Sequence, residues 1–405
     1  MAVPARLLDL TRLMSRVGHG AMTGVDRVEA AYLARLTLLP DPLFGLVRTA
    51  LGFVLLDDQG VKAVQARLNG QIAWGAPDLL SRLTHRTTPM RRRAESDLRR
   101  LAIARTGRRN LAPMLARHLP KGAIWLNVGH TNLTDTMFNA IHGANGRAHV
   151  LVHDMIPLEY PGFQRPGTVE VFERRMRAVS TGADLVIYNS EASAQAAERY
   201  FSNWGRVPRG IVAHLGIDVP VPDPKALPPG LDLAQPYFVA LGTIEPRKNH
   251  ALLLDIWAEM AKETAPPTLF IIGKRGWNND AVFARLDRHP AGVVELNNLG
   301  DGAMAALVQG ARALLFPSIA EGFGLPPCEA HALGTPVLAS DLPVIHEVLG
   351  NIPIYASPVD MYSWRKTIQA MSAETEARQS TMFAQEHGPG LPTWEAHFNR
   401  VLRVS

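Results

Sequence analysis

Two glutamates, Glu321 and Glu329, flank the stretch "EGFGLPPCE" with seven residues between them, and Gly322 and Gly324 lie inside it. Two acids around one turn could divide general acid and base work. They could equally accept hydrogen bonds from vicinal hydroxyl pairs. Earlier in the chain, "GTIEPRKN" sets Arg247 and Lys248 after Gly242 and Thr243, and "GKRGW" sets Lys274 and Arg275 in a second loop. Cations ahead of a helix N-terminus suit a phosphate or diphosphate. Each feature has a plainer reading. Arg247 and Lys248 read also as exposed loop cations, because most charges are solvated. Glu329 reads also as an acid complementing a helix dipole, worth about 0.3–1 kcal/mol. That reading leaves Glu321 and the two glycines without a purpose.

Strand-like runs and helix-period segments alternate through the chain, and they dictate where such residues must sit. "RLLDL", "AIWLNV", "AHVLVHD", "DLVIYN" and "GIVAHL" read as strands in the first half. "YFVALG", "TLFIIG", "VVELNNL", "ALLFPS", "PVLAS" and "IPIYA" do so in the second. Helical stretches such as "RVEAAYLARL", "VEVFERRMRAV" and "HALLLDIWAEMAKE" lie between them. The alternation predicts an α/β fold of parallel sheets wrapped by helices on both faces. Ligands of such sheets sit beyond the carboxyl ends of the strands. Both basic loops and the acid-bearing turn follow strands.

A length of 405 residues suggests two or three domains at roughly 150 residues each. The proline-rich, aperiodic segment 217–236 reads as a linker. Two doubly wound Rossmann-like domains are therefore expected, 1–216 and 237–389, facing each other across a cleft. Trp394 marks an anchor for a terminal helix at 390–405.

Composition narrows the function classes. A hydrophobic share of 47% and a charged share of 20% are those of a globular chain. One cysteine, Cys328, excludes an internal disulfide framework and points to a reducing compartment, the cytoplasm. "MAVPARLLDLTRLM" lacks the regions of a signal peptide, and no apolar run reaches the length of a membrane span. Formal charge is +5, with arginines concentrated in residues 82–121. A solvated helix face explains that run, and a surface for anionic lipid headgroups is the functional alternative. Nucleic acid is not an expected partner, because the run has no interleaved aromatics for base stacking. No Asp-x-Asp pair is present, and no metal is expected.

"EGFGLPPCE" resembles the Glu-x7-Glu motif of retaining glycosyltransferases of family 4, which have the GT-B fold. The "FPS" before it, "GTIEPRKN", "GKRGW" and "GTPVLASDLPVIHEVLG" resemble that family too, over about residues 237–358. Fainter similarity covers "TGVDRVE", "HDMIPLEYP" and "NSEAS" in the first half. The resemblance implies that Glu321 contacts hydroxyls of a donor sugar and Glu329 holds a ribose. It implies that amides near Phe323, Gly324 and Leu325 bind sugar and phosphates, and that Arg247 and Lys248 neutralise a leaving diphosphate. Many relatives carry arginine where this chain has Thr243 after Gly242, which shifts the burden to Arg247 or Lys274. Gly24 matches a glycine-rich loop near the phosphates and acceptor. His153 matches a histidine near the reaction centre, although by itself it reads as a satisfied core residue and Asp154 as a cap. The terminal helix is expected to return to the first domain.

The resemblance further implies hexose transfer with retention from a nucleotide diphosphate sugar, without another cofactor. The motif set is most similar to mannosyltransferases of bacterial surface-polysaccharide assembly, which implies GDP-mannose. UDP-glucose and UDP-galactose stay as alternatives. The implied acceptor is a glycan or lipid-linked oligosaccharide at the inner membrane face. A GT-B epimerase, a phosphorylase and a non-catalytic scaffold are the competing readings.

Overall fold

The computed structural model describes residues 4–20, 22–82, 88–373 and 390–404. Arg86 and the end of the expected second domain, 374–389, lie outside them. The strands of the first half are Arg6–Asp9 (β1), Leu43–Thr49 (β2), Gly52–Leu56 (β3), Ala104–Thr106 (β4), Ile124–Asn127 (β5), Arg147–Val152 (β6), Leu185–Tyr188 (β7) and Gly210–Val212 (β8). They pair in the order β4-β3-β2-β1-β5-β6-β7-β8. Pairing is parallel except at β2–β3 and β3–β4. Strands β2, β3 and β4, of which β3 runs antiparallel to both its neighbours, are absent from the sequence reading. They form a hairpin and an edge, and so break the strand–helix alternation on which that reading rests.

The second half supplies Tyr237–Leu241 (β9), Thr268–Ile272 (β10), Val293–Leu296 (β11), Ala313–Phe316 (β12), Val337–Ser340 (β13) and Ile354–Ala356 (β14). Among the described residues these make one parallel sheet, β11-β10-β9-β12-β13-β14. Each central strand is an apolar run buried on both sides, which parallel sheets require. In each sheet the first strand in sequence is flanked by strands reached in opposite directions, β1 between β2 and β5, and β9 between β10 and β12. Those two reversals open the crevices in which such folds bind ligands.

The helix Trp394–Leu402 lies against the first domain. Its His397 Nδ1 donates to the carbonyls of Ala213 (3.1 Å) and His214 (3.0 Å), so Nε2 is left to accept from the buried Tyr32 hydroxyl at 2.8 Å. Phe398 meets the Tyr32 ring edge-on at 5.0 Å.

The basic run forms the helix Pro89–Leu101, and several of its arginines are occupied internally. Arg99 pairs with Asp78 at 2.6 Å, and Arg100 with Asp97 at 2.7 Å. Arg93 donates to the Trp74 carbonyl at 2.8 Å. Among the described residues no helix is long and apolar enough to cross a membrane.

Candidate active site

The two basic loops are zipped to each other at the carboxyl ends of β9 and β10. Ile244 N–H donates to the Lys274 carbonyl at 2.9 Å, and Gly276 N–H to the Ile244 carbonyl at 3.1 Å. A Cβ on Gly273 would lie 1.9 Å from the Gly242 carbonyl oxygen, so the backbones can meet only because this position is glycine. Beyond the zipper, Pro246–Lys248 makes one 3₁₀ turn, and Asn249 in the left-handed region (φ 54°) starts the helix His250–Glu263.

Arg247 and Lys248 both turn onto Glu321, which follows β12 across the crevice. Lys248 Nζ lies 2.6 Å from one carboxylate oxygen, and Arg247 Nη1 lies 2.7 Å from the other. Arg247 Nε also pairs with Glu245 at 2.7 Å. The reading of Lys248 as a solvated loop cation does not hold, because it is only 8% exposed and rests on the Phe316 ring. Burial pushes the Glu321 carboxyl up, but Arg247 and Lys248 outweigh it and hold the group at about 2. Burial lowers Lys248 despite its partner, and the surrounding acids raise Arg247 against its own burial. The cluster is thus a charged, largely dehydrated network in which each cation is satisfied by a carboxylate.

The glycine turn between the two glutamates is held by the first domain. Its Gly322 carbonyl accepts from Ser190 Oγ at 2.9 Å and Ser193 Oγ at 3.1 Å. Ser193 Oγ also lies 3.1 Å from the His153 carbonyl. A Cβ on Gly322 would sit 2.4 Å from that same carbonyl oxygen. Gly324 takes the left-handed conformation (φ 91°) and starts the helix Leu325–Ala332, whose first turn has no side-chain cap. Pro326 and Pro327 follow Leu325 without an N–H, and Cys328 N–H donates to the Gly324 carbonyl at 3.5 Å, so the amides this turn can offer an anion are those of Gly324 and Leu325. Phe323 is buried beneath the turn.

His153 is buried, and its Nε2–H donates to the Val128 carbonyl at 2.7 Å. A carbonyl can only accept, so this bond leaves Nδ1 as the unprotonated nitrogen of the neutral ring. Burial lowers its pKa to about 4, which keeps the ring neutral near pH 7. Asp154 shows the opposite shift. Burial raises it to about 6, with Arg247 pulling down and Glu321 and Glu245 pushing up.

Glu329 is 5% exposed and pairs across the cleft with Arg27 of "TGVDRVE" at 2.5 Å. Burial raises its pKa, against the pull of Arg27. Arg27 belongs to the helix Gly24–Leu36, capped by Thr23, and a Cβ on Gly24 would lie 3.5 Å from the Leu325 side chain. The N-termini of two helices, one per domain, therefore face one another. Lys274 Nζ reaches the His19 carbonyl at 3.3 Å, and Trp277 Nε1 donates to the Phe163 carbonyl at 2.9 Å. Glu347 accepts from the first two amides of the helix Glu191–Asn203, at 2.6 and 3.1 Å, and from His214 at 2.6 Å.

The residues singled out from the sequence therefore gather at one cleft: Glu321 with Arg247 and Lys248, the turn at Phe323 against His153, Glu329 near Gly24. Thr243 and Lys274 lie in the loop zipper beside Gly242. Sequence reading passed over Arg27, Glu245, Glu347 and the charge state of Asp154. Arg27 stood inside a quoted motif, but its partner lies 302 positions away.

Residues 228–380 match the family described as Glycosyl transferases group 1. The serotype-specific mannosyltransferase WbdA of Escherichia coli is 33% identical over 229 residues, covering 53% of this chain and 28% of that protein. The O-antigen chain mannosyltransferase RfbU of Salmonella typhimurium is 34% identical over 137 residues, 33% of this chain and 37% of that protein. The chain thus spans well under half the length of these relatives. Among solved structures, Anabaena HepE in complex with UDP superposes with a TM-score of 0.60 at 14% identity, over 99% of both chains. OtsA does so with a TM-score of 0.56 at 13% identity, over 94% of both. These likenesses show the fold, two Rossmann-like domains in the GT-B arrangement, as the sequence predicts.

Proposed function

We propose that this chain, which carries a Glycosyl transferases group 1 domain, transfers a hexose from a nucleotide diphosphate sugar to a hydroxyl of a glycan or lipid-linked oligosaccharide. The observation that carries the reading is the meeting of Glu321 with Arg247 and Lys248 at the β9/β12 crevice, opposite His153. In this reading Glu321 takes hydroxyls of the donor sugar and Glu329 takes the ribose. Charge develops on the leaving diphosphate as its bond to the sugar breaks. Arg247, Lys248 and the amides at Gly324 and Leu325 stabilise that charge electrostatically. Their placement in a dry cleft strengthens the effect. Retention follows if the acceptor attacks from the face the diphosphate leaves.

Mannose from GDP-mannose is the first choice of donor, supported by the mannosyltransferase names of the sequence relatives. A UDP-hexose is the second, supported by the UDP bound to HepE. We place the reaction in bacterial surface-polysaccharide synthesis, at the cytoplasmic face of the membrane. Contact with anionic lipid would then fall to the exposed Arg105, Arg108 and Arg109 rather than to the internally paired arginines. A thermal-shift panel with GDP, UDP, ADP and dTDP tests the donor class, and one nucleotide should stabilise selectively. Product analysis with labelled sugar then tests transfer. Absence of stabilisation by every nucleotide would overturn the reading.

A further inference from the structure

Arg48 and Arg175 stand on the first-domain side of the cleft without an acid in direct contact. Arg48 is in β2, where its amide donates to Thr11 Oγ1 at 3.0 Å, beside the turn that follows β1. Arg12 is next to that threonine and pairs with Asp26 at 2.8 Å, an acid it shares with Arg16 at 3.2 Å. Arg175 belongs to the helix Thr168–Gly182, one turn beyond Phe172. The Phe172 ring lies 6.1 Å from that of His130, which in turn lies 4.9 Å from that of His153. The three arginines therefore border the β1/β5 crevice next to the proposed reaction centre.

Their electrostatics are unbalanced. Among the described residues the Arg48 and Arg175 guanidiniums make no hydrogen bond or ion pair. Arg175 has only like charges about it: burial and then Arg48, Arg12 and Arg174 hold it below its ordinary value. The acids nearby do not cancel this. Glu29 is held well above the usual carboxylate range by burial and by Asp9 beside it, so it favours its neutral form. Asp9 and Asp26 are then two carboxylates against four cations, Arg12, Arg16, Arg48 and Arg175. Arg48 acts on Asp9 at a distance, but no acid contacts either guanidinium; half-buried guanidiniums without a directly paired carboxylate are costly, and their planar forks match phosphate oxygens. The surplus suits a group with two negative charges better than one carboxylate.

We propose that Arg48 and Arg175, with Arg12 beside them, bind a phosphate or diphosphate group carried by the acceptor. This rests on the glycosyltransferase reading for the word acceptor, but the anion site itself does not. The test is calorimetric titration of the full chain with inorganic pyrophosphate, in the presence of whichever nucleoside diphosphate binds, so that the donor loops are filled. Pyrophosphate should bind, and Arg48→Gln and Arg175→Gln should each weaken it at least tenfold while nucleotide affinity holds. Acetate should bind at least tenfold more weakly than inorganic phosphate. A glycan bearing an alkyl diphosphate should displace pyrophosphate, and the same glycan without phosphate should not. Unchanged pyrophosphate binding in both variants, or none in the wild type, overturns the site. Failure of the alkyl diphosphate to compete overturns its assignment to the acceptor, and equal binding of acetate overturns the choice of phosphate. If no nucleotide binds, the glycosyltransferase reading fails separately, and the titration is run on the unliganded chain. Should Arg175→Gln not fold, Arg48→Gln and the wild-type titration decide.

Discussion

Arg27 in the first domain and Glu329 in the second close an ion pair at 2.5 Å, and Glu329 is otherwise buried. The pair ties the start of the helix Gly24–Leu36 to the middle of the helix Leu325–Ala332 across the cleft. It acts with Glu347, which caps the helix Glu191–Asn203 from the opposite domain. Each link needs the domains closed, because opening returns both partners to water.

Removing Arg27 should therefore favour an open arrangement. In Arg27→Met, Glu329 would keep its burial but lose its cation, and separation of the domains relieves that cost. We expect a larger radius of gyration by small-angle X-ray scattering in the absence of nucleotide, and a larger one still in Arg27→Met with Glu347→Gln. Identical scattering from all three proteins would rule out these contacts as the clasp.

Glu321 has a structural as well as a chemical load. Replacing it by Gln leaves Lys248 buried beside a neutral amide and Arg247 with Glu245 alone, and breaking a buried pair from one side costs about 3–5 kcal/mol. We expect Glu321→Gln to lower the free energy of unfolding in urea by about 3 kcal/mol and to cut kcat by about a hundredfold. Kinetics must be measured well below the shifted melting point. A variant with undiminished stability would mean that Lys248 does not depend on Glu321 for its counter-charge.

Two glycines should respond differently to the same methyl group. At Gly273 an added Cβ meets the Gly242 carbonyl at 1.9 Å, inside one domain. At Gly322 it meets the His153 carbonyl at 2.4 Å, between domains. Gly273→Ala should lower the melting temperature sharply, because the loop zipper cannot move without β9 and β10. Gly322→Ala should leave the melting temperature within a few degrees and reduce turnover, because the domains can part slightly to admit the methyl. Equal loss of stability in both variants would contradict this division.

The contrast also shows what the sequence makes legible. Parallel strands announce themselves by apolar runs, and residues that follow them, such as Arg247 and Glu321, can be placed at carboxyl ends without coordinates. The hairpin of β2 and β3 could not be, since Arg48 and the glycines at 45 and 52 interrupt its pattern. Pairings across the cleft were invisible for a different reason. Arg27 with Glu329, and Glu347 with the helix Glu191–Asn203, join segments whose local patterns carry no trace of one another. Asp154 shows a third limit: its neighbours Arg247, Glu321 and Glu245 come from the other domain, so its identity was legible and its charge state was not.

That charge state gives a pH test. The Asp154 carboxyl is raised from 3.8 to about 6, chiefly by burial, so between about pH 4 and 6 the folded chain holds a proton that the unfolded chain has released. The unfolded state then binds fewer protons, and the contribution of Asp154 to stability falls as pH rises through that window, by at most about 1.4 kcal/mol per pH unit. It is fully present below the unfolded value and gone above the folded one. His153, lowered to about 4, acts with the opposite sign from about pH 4 to 6.5. That slope is common to wild type and Asp154→Asn, and cancels in their difference. Urea unfolding of both proteins from pH 4 to 7 should show wild type losing stability relative to Asp154→Asn as pH rises to 6, then no further change. A flat difference across the window would mean that Asp154 is ionised throughout and that Arg247, rather than burial, governs it.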